Sequence, residues 1–174
     1  MSDTIAAVHP DRANAVKHPF RIIALPGERF DELRGLGDAE LRARGVLRMR
    51  ADDRPGFPCR VSLVDAGIGE EVWLFSFTHH DADTPYRASG PIFVRVDATT
   101  ARPEVNEVPA MLRSRLLSIR AYDARRMMID SGIAEGRDLE AHIGRFFANP
   151  EVAYLDLHNA RPGCFNCRVE RAGA

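Results

Sequence analysis

Lysine is almost missing from this sequence. Lys17 stands alone, and every other one of the 24 cations is an arginine. Against 25 carboxylates, the formal net charge is -1. A chain so balanced has no basic field to condense on nucleic acid or anionic lipid, so neither is an expected partner. A GC-rich genome suffices to explain the arginines, although arginine also suits fixed, bidentate contact with an anion. No apolar run reaches the length of a membrane span. The N-terminus lacks the charged-then-apolar order of a signal peptide, and a cytoplasmic location is the expectation. Cysteine is scarce as well, with three residues and no export signal. An odd count in that setting argues against a disulfide framework and for free thiols or a metal. Internal repeats and low-complexity segments are absent.

What is present is an ordinary globular composition, 45% hydrophobic and 28% charged over 174 residues, enough for one substantial core. Residues 1–18 are polar and without periodicity, and are expected to form a loose N-terminal arm; residues 19–174 are expected to form a single domain. Phe20–Leu25 reads as a short buried strand ended by Pro26 and Gly27. Phe30, Leu33 and Leu36 fall at helical spacing. Asp38 is a good N-cap for a helix over Ala39–Arg44, with Gly45 at its C-terminal end. Cys59–Asp65 alternates, and Val72–His79 returns after a Gly67/Gly69 turn, which predicts a hairpin. Those glycines lie between strands and do not open a helix, so they are no phosphate cradle. Pro91–Asp97, Leu116–Asp123 and Val152–Asn159 read as further strands, with a short one near Arg168. Asn106 can cap a helix over Glu107–Arg113, and Leu139, Ile143, Phe146 and Phe147 form the stripe of a helix over Asp138–Ala148. Many strands, short connections and few helices predict an α+β fold: a single domain whose largely antiparallel sheet carries a few short helices on one face.

Splitting each strand by its alternation yields two unlike faces. Leu117, Ile119 and Ala121 oppose Ser118, Arg120 and Tyr122; Ala153, Leu155 and Leu157 oppose Tyr154, Asp156 and His158; Ile92, Val94 and Val96 oppose Phe93, Arg95 and Asp97. A one-sided antiparallel sheet with a solvated back has this pattern. The polar faces, however, carry Arg, Tyr, Asp and His where a plain solvated face carries Lys, Glu and Thr. That composition is closer to a binding pocket. The last strand delivers His158 and Asn159 to a Pro162–Gly163 turn, and Cys164 and Cys167 follow at once. His, Asn and Cys are residue types of metal sites and thiol nucleophiles.

Four blocks in order, Pro55–Leu63, Pro85–Arg95, Leu117–Asp123 and His158–Cys164, resemble an uncharacterised bacterial family, domain of unknown function 1203. The resemblance covers most of the chain after the arm and implies no activity. It does mark these blocks, more than the helices, as characteristic, and Cys167 lies outside them.

Three chemistries remain open. The one needing least is a pocket for a small anionic molecule, with Arg60, Arg95, Arg120, Tyr122 and Asn159 as ligand-binding residues. The second is an enzyme with Cys59 or Cys164 as nucleophile, His158 (or His79) as base, and Asp156 or Asn159 as orienting group. The third is zinc on Cys164, Cys167 and His158. One CxxC without a second paired motif is a poor structural zinc signature, and the sequence after Cys167 is not the helix that a redox CxxC requires. No cofactor is therefore expected. Association into a homo-oligomer is compatible with the composition, and whether the chain is an enzyme stays undecided by its sequence.

Overall fold

Two sheets organise the chain. The structure, a computed structural model, describes residues 17–173; residues 1–16 of the expected arm lie outside the described residues. The order is β1 (Phe20–Ile23), a 3-10 segment (Gly27–Leu33), α1 (Asp38–Ala43), β2 (Leu47–Arg50), β3 (Glu71–His80), β4 (Ala88–Arg95), α2 (Ala110–Arg113), β5 (Leu116–Tyr122), β6 (Met128–Glu135), a 3-10 turn (Gly136–Asp138), α3 (Leu139–Phe147), β7 (Tyr154–Asn159) and β8 (Phe165–Arg171). The larger sheet has the order β1-β8-β7-β5-β6 and the smaller β2-β3-β4. All strand pairings within them are antiparallel. This is an α+β fold with a few short helices, as the sequence pattern predicts.

The expected core face of the larger sheet is real. Leu117, Ile119, Ala121, Leu155 and Leu157 are fully buried, and Cys167 and Val169 of β8 join them. The stripe of α3 and Met111 and Leu112 of α2 close the other side of this core. A second core lies under the smaller sheet, where Trp73, Ile92 and Val94 meet Phe30, Leu33 and Leu41.

Four local expectations change. Cys59–Asp65 is not a strand of a hairpin but a compact turn, with Leu63 N–H donating to Cys59 O at 3.0 Å and Leu63 at φ 51°. Cys59, Val61 and Leu63 are buried all the same, so the alternation reflects inward-facing turn positions. The hairpin that forms is β3 with β4. β2 and β6 were not legible, because each is a sheet edge with little buried surface and hence no clear apolar period. Asn106 caps no helix; its Oδ1 accepts Phe20 N–H at 3.0 Å, holding the start of β1, and α2 begins only after Pro109. The N-cap of α1 is Gly37 and not Asp38, with the Glu40 carboxylate accepting Gly37 N–H at 2.9 Å.

Candidate functional site between the sheets

The polar face of the larger sheet is not a solvated back. Antiparallel register sets Tyr122 beside Tyr154, Arg120 beside Asp156, and Asp156 beside Arg168. The far end of β3 then lies over this face. His80 meets the Tyr154 hydroxyl at 2.9 Å, and its ring stacks on Tyr122 at 4.2 Å. His79 stacks on Phe165 at 5.1 Å and stands edge-on to His158 at 4.9 Å. Between the sheets, His80, Tyr122, Asp156 and His158 are therefore all buried.

Burial sets the electrostatics. Asp156 is fully buried and takes a fork from Arg168, whose Nε and Nη2 donate at 2.9 and 3.3 Å. Burial pushes its carboxyl up, against the opposing pull of Arg168. The Arg168 guanidinium also lies 4.0 Å over the Tyr154 ring. His158 Nδ1 is 2.9 Å from Gly163 O, an acceptor only, so Nδ1 donates; buried Nε2 has no partner. Burial, with the Arg120 charge adding to it, holds His158 down to about 3. His79 is held down to about 4 by burial first and Arg120 second, against an opposing pull from the Phe77 carbonyl, although neither ring nitrogen makes a hydrogen bond of good geometry. A buried polar group without a partner is uncommon and calls for an explanation.

His79 opens onto a cleft of about 530 Å³ between the sheets, whose walls include Arg29, His80, Arg126, Tyr154 and Arg168. Arg29 lies 4.8 Å over Phe77, and Arg126 donates to Asp81 O at 2.8 Å. Neither arginine is in an ion pair among the described residues; two carboxylates, Asp81 and Glu170, also line the cleft, and Asp81 is engaged by Arg87 at 2.9 Å.

A second polar cluster joins two distant segments at Cys164. Arg60 is fully buried, and its Nη2 donates to Cys164 Sγ at 3.2 Å while Nε donates to Phe165 O at 2.7 Å. Nη1 is hydrogen-bonded to Pro58 O. Asn159 Nδ2 donates to the same sulfur at 3.2 Å, and Asn166 Nδ2 donates to Asn159 Oδ1 at 2.8 Å.

The residues singled out in the sequence thus separate into groups. Arg120, Tyr122, Asp156 and His158 do share one buried face, and Arg60, Asn159 and Cys164 meet in the neighbouring cluster. Arg95 joins neither: Glu70 takes its Nε and Nη2 at 3.0 and 2.6 Å, and Ser62 its Nη1. Cys59 is fully buried, and its sulfur accepts the backbone N–H groups of Ser62 and Arg95. It is a structural acceptor. None of the hydrogen bonds among the described residues joins His158 to a cysteine sulfur, so the Cys–His contact of a nucleophile–base pair is not formed. Cys167 lies in the apolar core and Cys164 on Arg60, and among the described residues no three Cys, His, Asp or Glu side chains are placed to hold a metal.

Arg29, His80, Arg126, Tyr154 and Arg168 were missed as cleft residues. Tyr154 and His80 carried a signal, being polar rings on or at the end of apolar strands. The arginines carried none, since their positions resemble those of any exposed arginine.

The fold and the cleft define a small two-sheet α+β domain with a polar seam between its sheets. The chain matches the family described as Protein of unknown function (DUF1203) over residues 56–171, and it belongs to that family. Both clusters draw on the matched segment, which contains Arg60, His79, His158 and Cys164. No curated protein and no solved structure matches the chain. No helix among the described residues is long and apolar enough to cross a membrane.

Proposed function

We propose that this domain binds a small anionic molecule in the cleft between its sheets. The observation that carries the reading is a cleft flanked by Arg29 and Arg126 and lined by His79, whose ring nitrogens make no hydrogen bond of good geometry. A neutral imidazole presents one donor and one acceptor, and the two unpaired guanidiniums supply fixed positive charge. The cleft volume is of the order that suits a small molecule. Anion recognition therefore rests on Arg29, His79 and Arg126. Arg95 and Arg60, the arginines first expected there, have other partners. Arg120 contributes field and not a wall, since its charge reaches both His79 and His158.

A thermal-shift series with inorganic phosphate, acetate and other small carboxylates tests this. A ligand at a hundredfold excess over Kd stabilises the folded state by about 2.7 kcal/mol. Arg126→Ala and His79→Ala should each remove most of the shift while the proteins stay folded. If no anion raises the melting temperature, or if the shift survives both substitutions, the cleft is not the site.

A further inference from the structure

We propose that the cleft between the sheets takes an elongated molecule with an anionic group at each end, of the dicarboxylate class, and not a compact anion. The inference rests on the anion reading above and adds to it the shape and charge spacing of the ligand. It is carried by where β3 anchors the two unpaired arginines. The cleft follows the end of β3, from Ser76 through His80 to the next residue, Asp81. Arg29 stands at the Phe77 end, with its guanidinium 4.8 Å over that ring. Arg126 stands at the Asp81 end, where it donates to Asp81 O at 2.8 Å. From Phe77 to Asp81 an extended chain advances about 12 Å. A phosphate or an acetate can meet one of these guanidiniums but cannot bridge both.

Each guanidinium is held where it stands. Arg29 rests on Phe77 through a cation–π contact. Arg126 leaves the turn between β5 and β6 at φ 64°, an uncommon conformation for a residue with a long side chain. Asp123 Oδ1 accepts the N–H groups of Arg125 and Met127 on either side of it, both at 2.9 Å, and so fixes that turn. The other charges of the lining are mostly spent. Arg168 is forked on Asp156, and Asp81 is paired with Arg87. Glu170, exposed on β8, is the one carboxylate of the lining without an ion pair among the described residues, so two unengaged cations face one unengaged anion. The lining also includes the half-buried apolar side chains of Ile23, Leu25 and Pro26. Such a wall suits the hydrocarbon spacer of an organic anion better than a hydrated inorganic ion.

The test is isothermal titration of the full chain with succinate, adipate and suberate, set against the monocarboxylate octanoate and inorganic phosphate. Succinate is too short to reach both arginines, whereas adipate and suberate are long enough. The better of these two should bind about tenfold more tightly than succinate or octanoate, because its second contact is intramolecular. Arg29→Ala and Arg126→Ala, both at exposed positions, should each remove that advantage and the dependence on length, with the free protein still folded by circular dichroism. Binding of octanoate or phosphate that Arg126→Ala removes, with no dicarboxylate binding more tightly, overturns the two-ended ligand and leaves the anion reading standing. An advantage for the long dicarboxylates that survives Arg29→Ala also overturns it. No binding by any of these probes overturns both.

Discussion

His80 of β3 and Tyr154 of β7 share a 2.9 Å hydrogen bond that fastens the smaller sheet to the larger. The other ring nitrogen of His80, Nδ1, faces Tyr86 O at 2.9 Å and must carry a hydrogen, so Nε2 is left for the tyrosine hydroxyl. Burial pushes that hydroxyl up to about 12, so it stays a donor under all ordinary conditions. Removing the hydroxyl by Tyr154→Phe should cost about 1 kcal/mol in urea denaturation. A double-mutant cycle with His80→Phe should show coupling between the two positions. Strict additivity would mean that the sheets are held together elsewhere.

Arg168→Met leaves the Asp156 carboxylate buried and unpaired, and should destabilise the fold by about 3 kcal/mol. Asp156 is already pushed up by burial, and without its partner it is driven further toward the protonated form. The variant should therefore regain stability as pH is lowered toward 5, and adding Asp156→Asn should recover part of the loss at neutral pH. Chemical denaturation at several pH values reads all three outcomes.

His158 and His79 are neutral in the fold, held at about 3 and about 4 against an ordinary 6.5. Once unfolded, both take up protons below that ordinary value. Their contribution to stability is thus fully present above about 6.5 and is lost as pH falls toward the folded values. For His158, the slope reaches at most about 1.4 kcal/mol per pH unit. His158→Gln should flatten the stability profile between about pH 6.5 and 4. An unchanged slope would show that His158 is charged inside the protein.

Gly136 has no room for a side chain: a Cβ there would lie 1.9 Å from Leu112 O. Its own N–H donates to Arg115 O at 2.8 Å, which fixes the backbone against α2. Gly136→Ala should cost more than about 2 kcal/mol, or prevent folding, by driving α2 off the core. The measurement is the denaturation midpoint, and a cost below about 0.5 kcal/mol would contradict this packing.

Cys59, Cys164 and Cys167 are free thiols, and two of them are buried. Titration with a thiol reagent should recover all three in denaturant without reductant, but only Cys164 rapidly in the native protein. Recovery of a single thiol in denaturant would reveal a disulfide.

The strand faces were legible in the sequence because local sterics impose them. Leu117, Ile119 and Ala121 oppose Arg120 and Tyr122 whatever the rest of the chain does, since side chains alternate along any extended segment. The stripe of α3 follows in the same way from 3.6 residues per turn. Edge strands such as Met128–Glu135 bury too little to leave a period, and Cys59–Asp65 alternates like a strand while turning back on itself. What the polar face meets is a long-range matter. Alternation says that Tyr154, Asp156 and His158 point one way, but only the packing of β3 across β7 and β8 turns that face into a buried seam and brings His79 to it. Likewise, nothing local links Arg60 to Cys164, 104 residues apart. Their contact depends on how the turn after Pro58 settles against the start of β8. The residue types and their facing were thus set by the sequence read locally, and their partners by tertiary folding, because hydrogen bonds and ion pairs act over a few ångströms that the chain covers only once it is packed.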